Sequence, residues 1–154
     1  MFAVINNFIL NSTIEKFRYQ ENLIKEYNYW VVLLRPQQIT IGSLILACKE
    51  DSESLSSISS KANAEFHLVV KEIENNMKKL FSFDKINYLA LMMVDKHVHF
   101  HVLPRYSTPL KFFKKKYEDS HWPIAADLSE FIDLPNEDFD ELRRTISKQF
   151  NTNE

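Results

Sequence analysis

The chain has 154 residues, 19 basic and 21 acidic, for a formal net charge of −2, so no general electrostatic pull draws it toward a nucleic-acid polymer or an anionic membrane. Its length suits one domain over residues 1–154, able to bury roughly two thirds of its unfolded surface. A lone cysteine, Cys48, excludes an internal disulfide, and a single glycine, Gly42, excludes the glycine-rich phosphate cradles of Walker A and dinucleotide-binding folds.

Phe2 to Leu10 is apolar apart from Asn6-Asn7 and reads as a packing arm; it has no basic leader and is too short to span a bilayer, so the cytoplasm is the expected compartment. Ser12-Thr13-Ile14-Glu15 has the form of a capping box and predicts a short helix through about Asn22. Tyr29 to Leu34 is strand-like, Pro36-Gln37-Gln38 turns, and Ile39 to Ala47 predicts a second strand with Gly42 inside it. The two strands form a hairpin. From Ile58, the residues Ala62, Phe66, Val69, Ile73, Met77 and Leu80 step by three or four, as one helix face must. His67 lies on the flank of that helix as a solvated side chain.

Ile86 to Val94 is almost wholly apolar and predicts a central strand covered on both faces. Asp95-Lys96 is then the only turn before the next strand, so the pair is an antiparallel hairpin, and Met92 and Met93 are expected to fill the core near a pocket. The next strand carries the chemistry. His97, His99 and His101 alternate with Val98, Phe100 and Val102, the period-2 mark of a half-buried strand, which places the three imidazoles about 6.6 Å apart on one face. Past Arg105, Phe112-Phe113 and Lys114-Lys115-Lys116 lead to His121-Trp122-Pro123, and the segment from Lys114 to Trp122 is placed to act as a lid over a catalytic strand. Phe139, Leu142, Ile146 and Phe150 form the stripe of a closing helix. These elements predict an α+β fold, with an antiparallel sheet of about five strands and a long helix packed on it.

A row of histidines supports two chemistries. One imidazole can attack phosphorus and form a covalent phosphoramidate while its neighbours hold the phosphate oxygens. Alternatively, imidazoles can ligate a transition metal, but a row about 13 Å long cannot bring all three rings within about 2.1 Å of one ion. A metal site therefore needs outside help, for which His121 and Asp119 are the obvious candidates. No metal or cofactor is expected.

His97-Val98-His99-Phe100-His101-Val102-Leu103 fits the pattern His-φ-His-φ-His-φ-φ, with φ apolar, and the chain resembles the histidine triad (HIT) superfamily of nucleotide hydrolases and transferases. The likeness extends over roughly Tyr29 to Tyr106 and looks closest to a prokaryotic subgroup with a short loop before the triad. It implies a HIT-like fold, a homodimer, and cleavage of a small nucleotide at its α-phosphate through a nucleotidyl-histidine, the substrates being dinucleoside polyphosphates or nucleoside phosphoramidates. A nucleotide-binding module without turnover is the alternative. By the same resemblance His99 is the nucleophile, His101 contacts the reacting phosphate, and His97 orients His99, partly through its backbone carbonyl. A bell-shaped pH profile is expected from a neutral nucleophile beside a charged phosphate-binding histidine. Ser43 stands where a fourth histidine is common, and Arg35 where an Asn or Asp often contacts ribose; both are expected at the pocket rim, with Arg105 as a further substrate contact.

Overall fold

In the computed structural model, residues 4–5 and 8–152 are described. Most of the expected packing arm lies outside them; what is described there is a ribbon of β1 (Val4–Ile5) paired with β2 (Phe8–Ile9).

Five strands form the main sheet: β3 (Leu23–Glu26), β4 (Trp30–Leu34), β5 (Leu44–Cys48), β6 (Lys85–Leu89) and β7 (His99–Arg105). Their order is β3-β4-β5-β7-β6, and every neighbouring pair is antiparallel, in agreement with the predicted architecture. All residues of β4 and β5 are buried, because both faces of the sheet are covered. On one face Trp30, Val32, Leu34, Leu44, Leu46 and Cys48 meet the long helix α3 (Ser60–Phe81) and the closing helix α4 (Asn136–Asn151). The Ser59 side chain caps α3 by accepting from Ala62 N, and Trp30 Nε1 donates to the Ala62 carbonyl at 2.8 Å. On the other face Val31, Leu33, Ile45 and Ala47 meet Ile14 of a short cover helix, α1 (Ser12–Lys16), and Leu10 and Phe17 that flank it. Among the described residues no helix is long and apolar enough to cross a membrane.

Several expectations are corrected. The helix predicted to reach Asn22 is broken at Arg18, whose φ of +58° is left-handed, and resumes as α2 (Tyr19–Asn22). Its cap is Asn11, one residue before the capping box, with the side chain accepting from Ile14 N at 3.0 Å. Gly42 lies outside β5, in a turn that needs its φ of +90°; an added Cβ would stand 2.9 Å from Met77 Cε. The buried Gln38 side chain holds this turn by accepting from Gly42 N and Ser43 N while donating to the Arg35 and Ser43 carbonyls.

β6 is an edge strand and stops at Leu89, so the apolar run to Val94 is neither central nor covered. Leu91, Met93 and Val94 are exposed, Met93 by 77%, and Met92 is only half-buried with φ +46°. The link to β7 therefore takes residues 90–98 instead of a two-residue turn. The first part of the expected lid is β9 (Lys115–Tyr117), which pairs in a hairpin with β8 (Leu110–Phe112), and Asp119 further on is held by Arg105. Leu110, Phe112 and Tyr117 pack into the core beside α3 and α4, and Lys115 pairs with Asp138 at 3.2 Å, so the hairpin covers the face away from the histidines.

Candidate active site

Alternation along β7 sends Phe100 and Val102 toward α3 and turns His99 and His101 to the α1 face, where they sit opposite Ala47 and Ile45. Both histidines are buried, His99 to 1% exposure and His101 to 7%. The Phe17 ring closes over them, its centroid 5.7 Å from that of His99 and 6.1 Å from that of His101. The two imidazole centroids are 5.1 Å apart.

His97 meets the same cover from just ahead of the strand, with Val98 turned to the α3 side. It precedes β7, and its ring turns to the cover: Nδ1 lies 3.2 Å from Thr13 Oγ1 and Nε2 lies 3.1 Å from Asp51 Oδ1. A carboxylate only accepts, so Nε2 carries the proton and Nδ1 accepts from the threonine hydroxyl. The His97 amide also donates to Thr13 Oγ1 at 3.3 Å, and Lys16 pairs with Asp95 at 2.6 Å, so α1 is tied to the segment before β7 at two points. What His97 offers the site is its carbonyl, 2.7 Å from His99 Nδ1. That carbonyl can only accept, which fixes the His99 proton on Nδ1 and leaves a lone pair on Nε2.

His101 receives a hydrogen bond from Arg35 Nε at 3.3 Å on its Nδ1. Burial, and then the charges of Arg35 and His99, lower its pKa from 6.5 to about 4, so the ring is neutral at pH 7. It does not supply the charged phosphate-binding imidazole on which the bell-shaped profile rests. The nearby positive charge is Arg35 itself, which lines a cavity of about 350 Å³ with Lys16, Phe17 and Arg18.

Of the other expected rim residues, Ser43 is fully buried: its hydroxyl accepts from Thr40 N at 3.0 Å and donates to the Thr40 carbonyl at 2.6 Å, closing the Gly42 turn. Arg105 stands four residues beyond His101, about 13 Å along the strand. Its guanidinium is held by Asp119 at 2.6 and 3.1 Å, Asn87 at 2.9 Å and the Ile124 carbonyl at 2.8 Å. The two residues considered as extra metal ligands are engaged elsewhere, Asp119 by Arg105 and His121 by Glu130 at 3.2 Å. Phe17, Thr13 and Asp51 were not evident as site residues, because each is 46 or more positions from its histidine partner and none belongs to a local motif.

The HIT domain model matches residues 17–108. An uncharacterized HIT-like protein of Borreliella burgdorferi is 28% identical over 123 residues, covering 75% of this chain and 84% of that protein. The crystal structure of a histidine triad protein from Sinorhizobium meliloti superposes with a TM-score of 0.72 at 18% identity, over 95% of this chain and 99% of that one. A histidine triad protein from Marinobacter aquaeolei gives the same TM-score and identity over 94% and 97% of the two chains. The motif running into β7, the five-stranded antiparallel sheet under a long helix and the matched family model agree: the chain belongs to the HIT domain family.

Proposed function

We propose that this protein is a cytoplasmic hydrolase or nucleotidyl transferase that cleaves small nucleotides at the α-phosphate, of the dinucleoside polyphosphate or nucleoside phosphoramidate class. The observation that carries the reading is the 2.7 Å bond from His99 Nδ1 to the His97 carbonyl, which frees Nε2 for attack. The Nε2 lone pair forms a bond to phosphorus as the bond to the leaving group breaks; the leaving group departs with the electron pair and takes up a proton from solvent. Water then attacks the phosphorus, gives up its proton, and the N–P bond breaks to restore neutral His99. His101 donates from Nε2 to the phosphate oxygens. Lys16, Arg18 and Arg35 supply positive charge for the rest of the phosphate chain. Arg105 braces the segment from Asp119 to Ile124, to which its Nε and Nη2 donate. Ser43 acts through the turn that positions β5 and leaves substrate to other groups.

The alternative, a module that binds nucleotides without turning them over, draws support from the burial of His99 under Phe17. A homodimer is part of the proposal: β6 is the sheet edge, and the exposed Leu91, Met93 and Val94 continue from it. Light scattering at micromolar concentration should give twice the chain mass. The activity is tested by incubating the protein with a panel of nucleotides, followed by product chromatography and intact mass. Wild type should release product and show a nucleotidyl adduct, and His99→Asn should do neither while binding nucleotide within about tenfold of wild type. Tight binding by wild type without any product would establish the binding-module reading instead.

A further inference from the structure

We infer that Arg35 is a positioning residue that fixes the proton of His101 on Nε2, so that the site presents a proton-free nitrogen on His99 beside a proton-bearing one on His101. The catalytic meaning of this pair rests on the reading above, whereas the assignment itself rests on geometry. A guanidinium has donors only, so the Arg35 Nε–H directed at His101 Nδ1 from 3.3 Å requires a lone pair on that nitrogen. The single proton of the neutral ring then belongs to Nε2. His99 is held in the opposite tautomer by the His97 carbonyl, and the two rings are 5.1 Å apart. Among the described residues neither Nε2 has a hydrogen-bond partner, which leaves both for a ligand.

The guanidinium is itself fixed. Arg35 is 7% exposed; its Nη1 donates to the Gln37 carbonyl, and its own carbonyl accepts from Gln38 Nε2 at 2.6 Å. The Gln38 turn therefore aims Nε at the histidine. A lysine would keep the charge and lose the donor at the Nε position, because its ammonium sits at the end of a flexible stem. The groups facing His101 are Arg35 at the end of β4, His99 on β7, Asp95 in the preceding segment, and the uncharged Phe17 and Ile45. Burial first, and then Arg35 and His99 against the one carboxylate, keep the ring neutral.

The test is imidazole ¹⁵N NMR of the full-length protein, free of nucleotide, over a pH series, in wild type, Arg35→Met and Arg35→Lys. Wild-type His101 should show the Nε2–H tautomer and titrate near pH 4. In Arg35→Met the proton should move in part to Nδ1 and the midpoint should rise by about one unit or more toward the ordinary histidine value. Arg35→Lys should keep the low midpoint and lose the fixed tautomer. The His99 Nδ1–H signal, set by a backbone carbonyl, reports that each variant is folded; if Arg35→Met loses it, Arg35→Lys decides. An Nδ1–H tautomer in wild type, or no change of tautomer in the folded variants, overturns the inference. Nucleotide adducts formed by a protein with the reversed tautomer would refute the Arg35 role and leave the enzyme reading intact. The expected tautomer without any adduct would do the reverse.

Discussion

Replacing Phe17 with alanine should uncover the histidines at a measurable cost in stability. The ring is 8% exposed and packs with Leu10, Ile14, Val31, Leu33, Ile45 and Ala47 as well as the two imidazoles. Truncating a phenylalanine in a rigid core costs roughly 3–5 kcal/mol, and a five-residue helix can settle into the gap, so about 3 kcal/mol is expected from urea unfolding. Much of that loss should appear as easier lifting of α1, because the apolar hold on the cover then falls to Leu10 and Ile14, beside the hydrogen bonds of Asn11, Thr13 and Lys16. His99 is 1% exposed, so its carbethoxylation in the native protein is slow until the cover lifts. If opening becomes easier by about 1.4 kcal/mol, labelling of His99 accelerates tenfold, read by peptide mass spectrometry. Unchanged labelling together with a stability loss under about 1 kcal/mol would refute the placement of Phe17 over the site.

Gly42→Ala combines a positive φ with a 2.9 Å approach to Met77 Cε and should cost about 2 kcal/mol, lowering Tm by roughly 4–8 °C in a thermal scan. Arg105→Ala leaves the buried Asp119 without its cation and should cost roughly 3–5 kcal/mol, with faster hydrogen exchange over residues 119–124. His101 should make the fold acid-sensitive. The unfolded imidazole takes a proton near pH 6.5 while the native one waits until about 4, so stability is fully present above 6.5 and falls as pH drops through that window, by at most about 1.4 kcal/mol per unit. Comparing urea midpoints of wild type and His101→Gln between pH 7 and 4.5 isolates this contribution.

The histidine strand and its antiparallel neighbours were legible because alternation and apolar content are local, and the closing helix because Leu142, Ile146 and Phe150 hold one stripe. The same signals misled at β6. Ala90 to Val94 has the composition of a strand, yet β7 begins only at His99, so nothing pairs with it and the residues go to the surface. Gly42 looked like a residue inside a strand because only the approach of Met77 and Phe81 reveals why a glycine is needed there. Within the site, spacing pointed to His99 and His101, but the protonation of each depends on a partner that spacing does not show: a carbonyl two residues away for one, and a guanidinium 66 residues away for the other.

Cys48 stands on β5 against the α3 face, fully buried, with its amide bonded to the Val98 carbonyl and its thiol pKa pushed up by burial to about 11. It is thus a native probe of a different event from the one His99 reports. Lifting α1 bares the imidazole and leaves the sulfur covered, whereas a thiol reagent reaches Cys48 only when the sheet parts from α3. Labelled together in one sample, the two side chains time the opening of the site and the rupture of the core separately, without any engineered cysteine or dye.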